Sequence, residues 1–120
     1  MKKIIITLAF SCLIGLTATF AQKVNSVAVK DFTAEYITIG EIPSFSSNVR
    51  IGVDFGQKIA SSWKSKEIVL TDDEGKPMDF NTTVAALNFM YQNGYELVNT
   101  YTLKSGEELI PRFVLRKKKN

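Results

Sequence analysis

Histidine is absent from this chain, cysteine occurs once, and there are only three prolines and a single tryptophan. Without histidine there is no Ser-His-Asp or Cys-His nucleophile and no His-ligated zinc or haem. One cysteine cannot close a disulfide within the chain, so stability has to come from a packed core. No charge of one sign dominates: fifteen Lys and Arg stand against twelve Asp and Glu, a net +3. That balance argues against general nucleic-acid binding, which needs a broad positive surface. What remains is an ordinary globular composition, 45% hydrophobic and 22% charged over 120 residues, with a length that suits one domain.

The N-terminal stretch reads as a targeting segment. Met1-Lys2-Lys3 is a positive start, Ile4 to Leu16 is almost wholly apolar, and Thr19 and Ala21 place small residues at −3 and −1 of a cut after Ala21. Charge, apolar run and small-residue exit are the order of a secretory signal peptide. An uncleaved anchor is the alternative, but the run to Ala21 is diluted by Thr, Ser and Gly and sits at the lower edge of a spanning length. Lipidation at Cys12 is a third reading; Ala9-Phe10-Ser11 fits a lipobox poorly, and the apolar run continues past the cysteine. The expected organisation is a signal peptide over 1–21 and a single domain over 22–120. The expected location is secreted or periplasmic. The domain would then hold no cysteine and a net charge near +1, since Lys2 and Lys3 leave with the signal.

Beyond Ala21 the pattern predicts strand, strand, helix, strand, strand. Gln22–Asp31 is a lead-in with a further short strand in reach through Val24, Val27 and Val29. Ala34–Ile42 is β-rich. Val49, Ile51, Val53 and Phe55 alternate with Arg50, Gly52 and Asp54, the pattern of a half-buried strand. Glu67–Thr71 is a candidate short strand, and Asp72–Pro77 is turn chemistry. Asn81 or Thr82 can cap a helix whose apolar stripe is Val84, Leu87, Met90 and Tyr91, and Asn93-Gly94 ends it. Tyr95, Leu97, Tyr101 and Leu103 share one face of the next strand, and Lys104–Glu108 is a hairpin loop. Pro111 cannot donate to a ladder, which places the last strand at an edge. The expectation is therefore an α+β domain: an antiparallel sheet of about four strands in β-β-α-β-β order, with one helix packed on one face. The other face would carry Thr38, Arg50, Asp54, Glu96, Thr100, Thr102 and Arg112 and meet water.

The segment from Asp79 to Met90, followed by Asn93-Gly94-Tyr95-Glu96-Leu97-Val98, resembles small exported proteins of Bacteroidetes-type bacteria. It is similar to short domains with a helix followed by Gly-Trp/Tyr-Glu-Leu-Val and a last strand ending like Leu115-Arg116-Lys117. The likeness covers about a third of the chain beyond Ala21. It implies a hairpin/helix/hairpin arrangement and an envelope or secreted location. It implies no activity, because no catalytic residues come with it.

Several patterns mimic chemistry. Ser61-Ser62-Trp63-Lys64 matches S-x-x-K, Ser46-Ser47-Asn48 matches S-x-N and Lys104-Ser105-Gly106 matches K-[ST]-G, but their order is reversed and the chain is too short for a penicillin-binding fold. Asp72-Asp73-Glu74-Gly75 lacks the alternating acids of a calcium loop and reads as a solvated turn. Asn81-Thr82-Thr83 fits a glycosylation sequon but reads as a helix cap. The Arg116–Lys119 tail reads as a frayed terminus, with contact to anionic lipid as the alternative.

No catalytic set, metal site or cofactor is expected. The candidate ligand-binding residues are Arg50, Asp54, Trp63, Thr100 and Arg112. The arginines offer paired donors for an anion, Asp54 a carboxylate and Trp63 a stacking ring; the plain reading of each is a wet sheet face, a cross-strand ion pair and a packed aromatic. The function expected is an exported, non-enzymatic binding or interaction domain that uses an open sheet face or a strand edge. Its partner would be a protein or a small ligand, with self-association included and nucleic acid excluded. Membrane contact would come only through an uncleaved signal or the basic tail. The alternatives are a small carboxylate-dependent enzyme acting on envelope carbohydrate, using Asp54 with one of the Asp72–Glu74 acids, and a structural envelope subunit.

Overall fold

A computed structural model describes residues 21–43, 47–59, 63 and 66–119. The expected signal segment, apart from Ala21, lies outside the described residues, as do Ser61, Ser62 and Lys64 of the S-x-x-K match. The elements are β1 (Lys23–Val24), β2 (Val27–Ala28), a 3-10 turn (Val29–Asp31), β3 (Tyr36–Ile42), β4 (Arg50–Asp54), β5 (Leu70–Thr71), α1 (Thr83–Gln92), β6 (Tyr95–Ser105) and β7 (Glu108–Lys117). The α+β expectation holds: a four-stranded antiparallel sheet in the order β4-β3-β7-β6, one helix, and a small second sheet in the order β2-β1-β5.

Alternation builds the main sheet. Opposed residues of an antiparallel ladder point to the same face. The pairs Ile39–Val53, Ile37–Leu115 and Ile39–Phe113 therefore gather Ile37, Ile39, Val53, Phe113 and Leu115 on one side. That side is covered by α1, by the small sheet and by the 3-10 turn. The core joins Val24, Val29, Phe32, Leu70, Phe80, Ala86, Met90 and Tyr95 to these strands. Phe32 stacks on Phe55 at 4.2 Å and meets Tyr95 edge-on at 6.4 Å. Each fully buried side chain of this size contributes about 1.5–3 kcal/mol relative to exposure.

Capping sets the helix limits. Thr82 is the N-cap, and its Oγ1 accepts from the Ala85 N–H at 3.1 Å. Gly94 follows the C-cap with φ at +97°, a conformation that favours glycine. The buried face of α1 keeps only half of the expected stripe, Met90 and the half-buried Leu87 that packs against the core. Ala86 and Met90 are buried, whereas Val84 and Tyr91 are 63% and 54% exposed. The helix is apolar nearly all round, so periodicity alone misplaced the flanks of the stripe.

Two further expectations are corrected. β7 is a central strand between β3 and β6, not an edge. Pro111 is tolerated because pairing with β3 ends at Phe113, so at Pro111 the strand has only β6 as a neighbour. The C-terminal basic run is also fastened rather than frayed. Arg116 pairs with Glu96 at 3.5 Å, Lys117 Nζ donates to the Phe32 carbonyl at 2.8 Å, and Lys118 Nζ lies 3.8 Å from the centre of the Tyr91 ring.

Tyr95 ties the start of β6 to the segment that leads into β3. Its hydroxyl donates to the Ala34 carbonyl at 2.5 Å, and burial pushes its pKa up. The folded chain thus holds this proton more tightly than the unfolded chain. The associated stability is whole below the unfolded tyrosine value of about 10 and is lost as pH rises through the folded one. Tyr95→Phe should cost about 1 kcal/mol at neutral pH and make the alkaline loss of stability shallower, measured by urea denaturation from pH 7 to 11. In the same assay at pH 7, Thr82→Ala should cost about 1 kcal/mol through loss of the helix cap.

Candidate functional site

The face opposite the core was expected to be wet, and at its centre it is covered. Gly40 and Gly52 sit directly opposite each other on β3 and β4. With no side chains there, the sheet presents a bare patch of backbone, and three side chains lie down on it. A Cβ on Gly40 would stand 2.7 Å from Arg112 Cδ, and one on Gly52 would stand 2.9 Å from Ile68 Cδ1 and 3.1 Å from the Trp63 indole. The Arg112 guanidinium carbon lies 4.1 Å from the centre of the Trp63 ring, a cation–π contact. Ile68 is fully buried yet outside the main core, and Arg112 is only 6% exposed. The chain after β4 therefore folds back over the second face, so the glycines, the indole and the guanidinium form a small second packing layer.

Trp63 and Arg112 are thus brought together, while the other nominated residues are not. Arg50 pairs with Asp79 at 2.8 Å, held there by the neighbouring Val49–Phe80 bridge. Asp54 does not meet an arginine; its Oδ1 accepts from the Gly56 N–H at 2.9 Å and closes the turn that ends β4. Thr100 lies on the opposite face of the sheet from Arg112. The reason is a β-bulge between Leu97 and Asn99, which reverses the alternation along β6. Glu96 remains on the Arg112 face beside Arg116. Thr100 and Thr102, paired with Phe113 and Pro111, are turned to the core side, and Tyr101 and Leu103 are turned away from it.

Burial lowers the Arg112 pKa, opposed by the facing Tyr101, and leaves the group cationic. Tyr36, opposite Arg116 in the ladder, and then Glu96 favour the charged form of Arg116. A cleft of about 620 Å3 opens beside the second layer, with Glu41, Asn48, Trp63, Glu108, Leu109 and Arg112 in its wall. Its two carboxylates were not nominated from the sequence, and Glu41 accepts a hydrogen bond from Thr83 Oγ1. The nominated acids do not line it. Asp72 Oδ1 instead accepts from the N–H groups of Glu74 and Lys76, at 2.9 and 3.0 Å. No cluster of three metal-binding side chains occurs among the described residues, and none of their helices is long and apolar enough to cross a membrane.

The other feature open to a partner was only partly anticipated. The outer edge of β4 is occupied by bridges to Val69 and Phe80, with Val53 N–H donating to the Ile68 carbonyl at 2.7 Å. The outer edge of β6 has no strand beside it among the described residues. Past Phe113 the β6–β7 hairpin runs on without β3, and residues 97–109 are all exposed. They include Leu97, Val98, Tyr101, Leu103 and Leu109, between 43% and 67% exposed. The signal for this was the β-rich run YELVNTYTL, whose edge position depends on a strand order that the sequence leaves open.

No family model, curated protein or solved structure matches the chain.

The glycine pair yields a direct test. Gly52→Ala places a methyl group against Ile68 and Trp63 and should destabilise the fold by about 1–3 kcal/mol. The fluorescence of Trp63, the chain's single tryptophan, should report a more polar surrounding. Unchanged stability and emission would contradict the second packing layer.

Proposed function

We propose that this chain is an exported domain that acts by binding, and that it recruits a partner strand along the outer edge of β6. An open sheet edge offers a row of unpaired backbone donors and acceptors, and an added strand satisfies them while side chains set the specificity. The observation that carries the reading is the contrast between the two edges: β4 is capped by the chain's own backbone, and β6, with apolar side chains along it, has no strand beside it among the described residues. Natural edges are commonly blunted by charge or proline. Between Leu97 and Ser105 the one charged residue is Lys104, and there is no proline. A two-stranded ribbon extending past its sheet is marginally stable alone, so a neighbour along β6 would also secure the hairpin.

The reading transfers the expected surface recognition from the sheet face, which Trp63, Ile68 and Arg112 cover at its centre, to the strand edge. The carboxylate-enzyme alternative gains little support, because Asp54 and Asp72 lie outside the cleft and each commits its Oδ1 to its own turn. Export rests on the N-terminal pattern of charge, apolar run and small residues.

Photo-crosslinking in the producing cell tests it. A benzophenone amino acid replacing Tyr101 or Leu103 should give a crosslinked adduct, and one replacing Lys76 in the exposed turn after β5 should not. Absence of adducts from both β6 positions would overturn the reading.

A further inference from the structure

Resting on that edge reading, we infer that the strand recruited by β6 is the β6 of a second copy of this chain, paired antiparallel about a two-fold axis through Thr102. The side chains along the edge argue for this occupant. A two-fold axis normal to a continuous sheet keeps each face on its own side, so every residue must meet one of the same face and a single residue must sit on the axis. The bulge between Leu97 and Asn99 breaks the regular edge, which leaves Asn99–Ser105 as the uninterrupted run.

Only an axis at Thr102 uses all seven residues of that run. It sets Tyr101 against Leu103 of the second copy twice, on one face. On the other face it sets Thr100 against Lys104 twice and Thr102 against itself. Asn99 then meets Ser105. Aromatic–aliphatic and Thr–Thr pairs are favourable cross-strand neighbours, and no like charges are opposed. An axis at Tyr101 places Leu103 against Asn99, and one at Leu103 places Tyr101 against Ser105; each also shortens the run to five residues. An axis at Thr100 would bring Glu96 to Lys104 and Leu97 to Leu103, but the bulge leaves both of those pairs on opposite faces. The chosen register also brings each hairpin turn at Gly106 and Glu107 beside Leu97 and Val98 of the other copy. The apolar side chains of β6 that are now exposed would all lie at the junction. The product is one eight-stranded sheet in the order β4-β3-β7-β6-β6-β7-β3-β4. Seven residue pairs make a small interface, so the dimer should depend on concentration.

The test is cysteine crosslinking in a Cys12→Ser background, with sedimentation velocity on the same protein from micromolar to near-millimolar concentration. Paired residues of an antiparallel ladder have Cα atoms about 4.5–5.5 Å apart, within disulfide reach. Thr102→Cys should therefore give a covalent dimer under mild oxidation. Thr100→Cys should not, because the two copies of residue 100 are offset by four residues, roughly 13 Å along the strand. The double variant Thr100→Cys with Lys104→Cys should crosslink again. A dimer that crosslinks through Thr100→Cys alone, or through none of the three, would overturn the register. A chain that stays monomeric while Tyr101 crosslinks to a different protein in cells would overturn the second copy and leave the edge reading standing. A monomer with no adducts would remove both.

Discussion

The ladder between β3 and β7 is the joint on which this molecule depends. It runs only from Tyr36–Arg116 to Ile39–Phe113, yet it connects the β3–β4 hairpin to the β6–β7 hairpin and brings Ile37, Ile39, Phe113 and Leu115 onto one face. That face is the floor of the core, and α1, the 3-10 turn and the small sheet form its lid. The shortness of the ladder matters as much as its existence. Because β3 stops pairing at Phe113, the second hairpin runs on past Arg112 beyond the core, with residues 97–109 exposed among the described residues. The overhang of the hairpin follows from this mismatch in strand length, and the open outer edge from the terminal place of β6 in the strand order.

A second consequence concerns the outer face. Small antiparallel sheets commonly leave one face to water. Here the Gly40–Gly52 pair removes the side chains that would hold other groups off, and Trp63, Ile68 and Arg112 occupy the space. The same chain segment supplies Val69 and the Ile68 carbonyl to the outer edge of β4. One excursion thus caps an edge and roofs part of a face, and it concentrates whatever binding the sheet can offer at β6.

Much of this architecture could be read in advance. Alternation located β3, β4 and the core-proximal part of β6, and Thr82 and Gly94 bracketed α1 because caps are local chemistry. Local patterns do not carry strand order, so Pro111 suggested an edge that belongs to β6 instead. They also do not show a bulge. One extra residue at Val98 was enough to turn Tyr101 and Leu103 away from the core and Thr100 and Thr102 toward it. Of the nominated site residues, Asp54 found its partner within its own turn and Arg50 paired with Asp79 across the Val49–Phe80 bridge, while Trp63 and Arg112, 49 positions apart in the sequence, met through a fold-back that no periodicity encodes. The two strand glycines were its one visible trace, since glycine inside a strand often marks a close approach of other groups.

Among the described residues of a single chain the outer edge of β6 is uncovered, while the joint between β3 and β7 is closed. Amide hydrogen exchange at high dilution, resolved by residue, measures this directly. Exchange should be slow in the β3–β7 ladder from Ile37 to Ile39 and Phe113 to Leu115, and fast at alternate, outward-facing amides between Asn99 and Ser105. Uniform slow exchange along β6 at dilution would mean that the chain covers this edge itself and that no open edge exists for a partner.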